Sequence, residues 1–308
     1  MTTSHWTPAL LPSLSGKTFV VTGGNAGLGY WASEFLARRG ASVVIAARSE
    51  ERAARAIASI LTRAPLGSVR SIALDVANLA SVEAAAAELS DGPIDGLILN
   101  AGLTESPKRA VTADGFEIMF GTNFLGHFAL TARLAPTLLA TSGSRVVSLG
   151  SISHEFFDLD LDDLQNESDY SSFRTYGRSK LAVMLFAFEL DRRLRKAGHS
   201  TRSLSAHPGF ALDGMSAARP GIGAKRSNPL VRTALGAFAQ GKDAGALPVV
   251  RAVADPLAEG GDYWGPDGWR QLKGEPTVVT ARTRARDIRT ATALWASAEN
   301  LTGISLTI

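Results

Sequence analysis

Six short apolar runs, each separated from the next by a stretch with helical periodicity, restrict what this chain can fold into more than any other feature. The runs are KTFVV, ASVVIAA, SVRSIALDV, PIDGLILN, SRVVSLG and TRSLSAHP. Gly, Ser, Asp or Pro bounds them, and they lack polar alternation. Such runs suit strands buried on both faces. Between them, GYWASEFLARRG, ERAARAIASILTRA, SVEAAAAELS, FEIMFGTNFLGHFALTARLAPTLLA and TYGRSKLAVMLFAFELDRRLRKAG carry apolar residues at three- and four-residue steps. Strand, helix, strand, repeated, predicts an α/β fold: a doubly wound parallel sheet in three layers, with helices on both faces.

Composition sets outer limits. With 308 residues, 45% of them hydrophobic and no compositional break, the chain reads as one domain over residues 1–308. The net charge of +3 comes from scattered arginines, so the basic run of a nucleic-acid binder is missing. The absence of cysteine excludes disulfides and thiolate chemistry and fits a reducing compartment. No apolar stretch approaches the roughly 18–20 residues of a membrane span, and the first residues, MTTSHWTPALLPSLSG, lack a basic start and a long apolar segment. The expectation is a soluble, unexported, cytoplasmic protein that acts on a small molecule.

The joint VVTGGNAGLGY links the first strand to the first helix. Gly23, Gly27 and Gly29 let the backbone turn tightly, approach a ligand closely and pack the helix against the strand. The helix start offers unpaired amides and a positive dipole end, which suit a pyrophosphate, although a tight turn alone would use the same residues. A dinucleotide fold reads its cofactor about 20 residues further on. That position holds Arg48, whose guanidinium can fork onto a 2′-phosphate and so favours NADP over NAD. A surface arginine pairing with Glu50 or Glu51 is the plainer alternative. Asp75, at the end of the third run, suits either the adenine amine or a cap for the next helix.

In YGRSK, Tyr176 and Lys180 stand at i and i+4 and project from one helix face. A neighbouring ammonium favours the tyrosinate and moves its pKa toward working pH, which suits general acid-base catalysis. Two surface residues would show the same spacing.

With TGGNAGLG, AAR, LDV, LNAG, TNFLGHF, SLGSISH, YGRSKLA and HPG in this order over about residues 15–210, the chain resembles the short-chain dehydrogenase/reductase family. It is most similar to the retinol-dehydrogenase-like and protochlorophyllide-reductase-like branch. The resemblance implies a Rossmann fold and four catalytic residues. Tyr176 exchanges the proton with the substrate oxygen, Lys180 also binds the nicotinamide ribose, Ser151 hydrogen-bonds the reacting oxygen, and Asn123 holds a relay water. It further implies a cofactor site built from Gly23, Asn25, Ala26, Gly27, Leu28, Gly29, Arg48, Asp75, Val76, Asn100, Ala101, Gly102, Tyr176, Lys180, Pro208 and Gly209. Two departures stand out. Asp213 occupies the place of a threonine that helps hold the carboxamide, and Ala26 that of a serine in the glycine turn. Among the three serines of VVSLGSISH, Ser148 falls inside the fifth strand, Ser151 just past its carboxyl end, and Ser153 farther from the chemistry.

The resulting expectation is an NADP(H)-dependent oxidoreductase, working as a ketoreductase because cellular NADP pools are kept reduced. Reduction of an activated C=C bond at the same site is an alternative, as is a catalytically silent NADP(H) sensor. The irregular segment at about 212–247 is expected to cover a substrate pocket, with Leu212, Met215, Ile222, Leu230, Val231, Leu235 and Phe238 suggesting an apolar lining for a lipophilic ketone. No metal site is expected, since His154 and His207 lack a matching carboxylate pattern. Phe116, Phe120, Phe124 and Phe128, four residues apart, read as core or interface packing before a substrate box. The family's habit of pairing its two long central helices suggests a homodimer or homotetramer.

Overall fold

A computed structural model describes residues 6–223, 228, 233 and 235–308. The six runs become β1 Thr18–Thr22, β2 Ser42–Ala47, β3 Ser68–Ala73, β4 Gly96–Leu99, β5 Arg145–Leu149 and β6 Arg202–Ala206. After a small ladder of β7 Ala211–Leu212 with β8 Gln240–Gly241, the chain adds β9 Tyr263–Pro266 and β10 Pro276–Val278 to the main sheet. The sheet order is β10-β9-β6-β5-β4-β1-β2-β3, parallel throughout except for the antiparallel β10. Strand order reverses between β1 and β4, and the connections that follow them leave to opposite faces of the sheet, at the crevice in which such sheets bind ligands.

Helices α1 Gly27–Arg38, α2 Glu50–Leu61 and, later in the chain, α6 Leu247–Ala254 share one apolar core with one face of the sheet. Helices α3 Leu79–Leu89, α4 Gly126–Ala140, α5 Ser172–Lys196 and α7 Ile288–Thr302 share the other. Two apolar cores on opposite faces are why β1, β2, β4 and β5 read as unbroken hydrophobic runs. β3 departs from that expectation. It is one of the two edge strands, and Ser68 and Arg70 are exposed, with Arg70 reaching Glu88 at 3.1 Å.

Phe120, Phe124 and Phe128 are core residues. Phe128 packs against Phe186 and against Trp295 of α7, with ring centroids 5.6 Å apart in each pair. Trp295 also lies 5.7 Å from Phe186, so α7 covers apolar surface of both long central helices within this chain. Before α4 the backbone makes one π turn, Gly121–Leu125, which interrupts what the sequence presents as a continuous helix. Among the described residues, no helix is long and apolar enough to cross a membrane.

Candidate active site

The glycine turn sits at the switch point. Gly23 and Gly27 adopt φ of +66° and +56°, which favour glycine. A Cβ at Gly29 would come within 2.5 Å of the Gly23 carbonyl oxygen and of Asn100 Nδ2, so this glycine packs the helix and does not line the crevice. Asn100 in turn ties the ends of β4 and β1 together: its Nδ2 donates to the Thr22 carbonyl at 2.7 Å and its amide to Thr22 Oγ1 at 2.9 Å. Ala26, at the N-cap of α1, makes no side-chain cap, leaving the first amides of a twelve-residue helix without a capping hydroxyl. A cradle that side chains would fill, facing uncapped amides, fits a dinucleotide diphosphate.

At the end of the cavity beyond β2, Ser49 caps α2 by accepting from the Arg52 amide at 3.3 Å, and this places Arg48, Arg52 and Arg55 along one wall. Glu51 is taken by Arg55, so the plain surface pairing proposed for Arg48 is not formed there. Arg48 instead stands 4.0 Å from Asp75, with its side chain 69% exposed. Asp75 is not the cap of α3. That role falls to Asn78, which accepts from the Ser81 amide, while Asp75 accepts from the Ala77 amide at 3.0 Å and keeps facing the crevice.

The third group sits where α5 meets the turn after β5. A Cβ on Gly177 would lie 2.4 Å from the Phe157 ring and 3.1 Å from the Ser153 carbonyl oxygen. Its absence lets the short turn Ile152–Glu155 lie directly on α5, bringing Ser151 to Tyr176. Ser151 caps that turn, accepting from the Ser153 amide at 3.2 Å, and lines the same cavity as Tyr176. His154 Nδ1 donates to the Ser151 carbonyl at 2.6 Å and fixes this corner.

Burial pushes the Tyr176 hydroxyl above its ordinary pKa, against the bond from Ser151, which lowers it. The expected lowering by Lys180 is not present in this state. The ammonium lies 5.9 Å from the Tyr176 ring centroid and donates to the Leu149 carbonyl at 2.8 Å. Burial brings Lys180 itself down to about 8.

Asn123 lies in the π turn, one layer behind the crevice. Its Oδ1 accepts from the Leu103 amide at 2.7 Å, and its Nδ2 donates to the Leu103 carbonyl and to Ser179 Oγ. Its own carbonyl accepts from His127 Nδ1 at 3.0 Å, so His127 Nε2 is left to accept from Thr22 Oγ1, also at 3.0 Å. His127 is buried and pushed down to about 4, hence neutral. The TNFLGHF motif contains this histidine, but nothing in its spacing pointed to a bond back to Asn123.

One cavity of about 1080 Å³ collects these parts. Of the expected residues, Gly23, Asn25, Ala26, Gly27, Leu28, Arg48, Asp75, Val76, Asn100, Ala101, Gly102, Ser151, Tyr176, Lys180, Pro208 and Gly209 line it. Gly29 and Asn123 do not. The sequence reading missed Arg52, Phe156, Phe173, Phe210 and Lys242 in the wall. From the irregular segment Ile222 contributes, whereas Leu212, Met215, Leu235 and Phe238 do not, and Leu230 and Val231 lie outside the described residues. His207 follows β6 and stacks on Tyr263, its ring held by Gln271 and the Gly209 amide.

A glycine turn at the switch point of a doubly wound sheet, with a serine, a tyrosine and a buried lysine across the same cavity, defines a dinucleotide-fold oxidoreductase. Comparison with known proteins makes the class specific. The chain belongs to the short chain dehydrogenase family, which it matches over residues 17–219. It is 38% identical over 308 residues to polyprenol dehydrogenase of Mus musculus, covering 96% of this chain and 87% of that protein. It is 34% identical over 297 residues to retinol dehydrogenase 13 of Homo sapiens, covering 95% and 86%. An uncharacterized protein from Mycobacterium Paratuberculosis has a crystal structure that superposes with a TM-score of 0.82 at 37% identity, covering 99% of this chain and all of that one.

Proposed function

We propose that this protein is an NADP(H)-dependent reductase of lipophilic carbonyl compounds, built as one dinucleotide-binding unit. The observation that carries the reading is the shared cavity: the glycine turn, the arginine wall and the Ser151, Tyr176 and Lys180 cluster all face one space. Arg48 and Arg52 supply two guanidinium groups where a 2′-phosphate would sit. Bound there, a nicotinamide cofactor supplies the hydride for the substrate carbon.

The chain's own residues handle the oxygen. Tyr176 donates its hydroxyl proton to the substrate oxygen, and Ser151 hydrogen-bonds that oxygen as its charge grows. Lys180, with a pKa near 8, carries positive charge at neutral pH in the same cavity and is the cation available to favour the tyrosinate once the proton has left. Asn123 and His127 hold the wall behind Lys180, where a Cβ on Gly102 would meet Asn123 at 2.8 Å and Lys180 at 3.9 Å.

Phe156, Phe173 and Phe210 are exposed although large, and all three line the cavity. Apolar side chains left open at a pocket suit an apolar ligand. The names of the polyprenol and retinol dehydrogenases, both proteins acting on long apolar alcohols, agree with that choice.

The test is oxidation of NADPH and NADH against a panel of aldehydes, cyclic ketones and enones. The expected result is NADPH-preferring reduction of lipophilic ketones or aldehydes. Turnover of enones alone would move the reading to C=C reduction. Cofactor binding without turnover on any carbonyl would leave a sensor.

A further inference from the structure

Lys242 has no place in the roles described so far, yet it reaches the centre of the cofactor cradle. Its Nζ lies 3.3 Å from where a Cβ on Gly27 would stand, with Cδ of the same side chain at 3.6 Å. Gly27 is the first residue of α1, so the ammonium sits over the uncapped start of that helix. The lysine's position is fixed by its backbone. Its amide donates to Ser216 Oγ at 2.8 Å, and the two preceding residues form β8, whose Gln240 amide donates to the Phe210 carbonyl at 3.0 Å. Its side chain is fixed as well: Asp213 accepts from Nζ at 2.6 Å. The acid that replaces the family's threonine thus has a partner, and that partner is aimed at the glycine turn.

Two positive elements, a helix start and an ammonium, converge on one part of the cavity and face one carboxylate. With Asp213 offsetting the ammonium, the helix start leaves a partial positive charge there, whose complement is an anion. The other basic residues that line the cavity among the described ones are Arg48, Arg52 and Arg55 on the α2 side and Lys180 on α5. None of these is at the glycine turn.

We infer that Lys242 binds the diphosphate of a dinucleotide seated on the glycine turn, with Asp213 holding the ammonium in place over Gly27. The inference rests on the dinucleotide reading above and adds to it a residue from beyond the strand-and-helix frame. An ammonium keeps three donors, and the bond to Asp213 uses one of them.

The experiment measures equilibrium binding of NADPH by its fluorescence, and of adenosine 2′-monophosphate by calorimetry, for the wild type, Lys242→Met and Lys242→Arg. Adenosine 2′-monophosphate has the 2′-phosphate and lacks the diphosphate. Losing one charge-assisted bond should raise the NADPH Kd of Lys242→Met about tenfold or more. Binding of adenosine 2′-monophosphate should be unchanged, which also shows that the variant is folded, and Lys242→Arg should stay within about threefold of the wild type for NADPH. Should Lys242→Met fail to fold, Lys242→Gln carries the same comparison. An NADPH Kd within twofold of the wild type overturns the inference alone, as does an equal loss for both ligands. A wild-type protein that binds neither NADPH nor NADH overturns the cofactor reading itself.

Discussion

Lys180 donates its ammonium to the backbone carbonyl of Leu149 at 2.8 Å, with Nζ 5.9 Å from the centroid of the Tyr176 ring. A buried ammonium with one neutral acceptor costs stability, and burial brings its pKa from 10.5 down to about 8. A base whose folded pKa is depressed binds fewer protons folded than unfolded between those two values, so it destabilises most below pH 8, and stability rises as pH climbs from 8 toward 10.5. Lys180→Met is therefore expected to stabilise the cofactor-free protein at pH 7 by up to about 3 kcal/mol while removing turnover. Thermal denaturation with and without the substitution checks this, and a clearly lower melting temperature for the variant would contradict it.

Arg48 is expected to set cofactor preference. Its side chain is exposed and 4.0 Å from Asp75, an arrangement too loose to be structural. Arg48→Asp would remove one guanidinium and add a second carboxylate beside Asp75, so the NADPH affinity should fall at least tenfold, about the loss of one charge-assisted contact, with the NADH affinity relatively favoured and the fold unchanged. Titration of both cofactors measures the ratio. An unchanged preference would assign the phosphate to Arg52 and Arg55.

How much of this was readable beforehand follows from the range of each interaction. β1, β2, β4 and β5 announced themselves because strands covered on both faces need continuous apolar residues. The turn at Gly23–Gly29 and the Tyr176 and Lys180 pair are local in sequence, so spacing marked them as candidates and the order of motifs around them selected them. β10 gave no signal: it is a three-residue antiparallel edge with Pro276 in it. The π turn around Asn123 carries no residue pattern of its own. Lys242 approaches Gly27 from a segment without periodicity, across more than two hundred residues, and only the folded backbone brings them together. The bond that Lys180 makes was out of reach of the sequence for a related reason. Helical spacing fixes where a side chain starts, and the Leu149 carbonyl of another element decides where it ends.

His127 makes acid stability testable. Neutral in the fold, it donates from Nδ1 to the Asn123 carbonyl and accepts from Thr22 at Nε2, and burial pushes it from 6.5 to about 4. Between those values the unfolded chain takes up a proton that the folded chain refuses, so the stability it supplies is whole above pH 6.5 and lost as pH falls toward 4. From pH 7 to pH 5 this one group should account for about 2 kcal/mol. Urea unfolding of the wild type and His127→Asn at both pH values isolates it, because the variant should lose about that much less over the same interval. An equal loss in the two proteins would mean that His127 does not titrate in this window.

The last prediction separates Ser151 from Ser153, since both line the cavity. Ser151 stands two residues beyond Leu149, the last residue of β5, and its hydroxyl accepts from the Ser153 amide while its side chain acts to lower the Tyr176 pKa. Ser153 is inside the following turn, buried, and its carbonyl faces α5 where Gly177 leaves room. A group that hydrogen-bonds the reacting oxygen must reach the space in front of Tyr176, and of the two serines Ser151 is the one whose side chain acts to lower the Tyr176 pKa. Ser151→Ala should therefore lower kcat about 10²-fold or more, the scale for losing one oxyanion donor. Ser153→Ala, which removes a hydroxyl with no partner of its own, should change kcat little. Both variants are assayed by NADPH oxidation on one accepted ketone, with NADPH affinity measured alongside to exclude a loss of cofactor. A larger loss at Ser153 than at Ser151 would reverse the assignment and place the catalytic hydroxyl inside the turn.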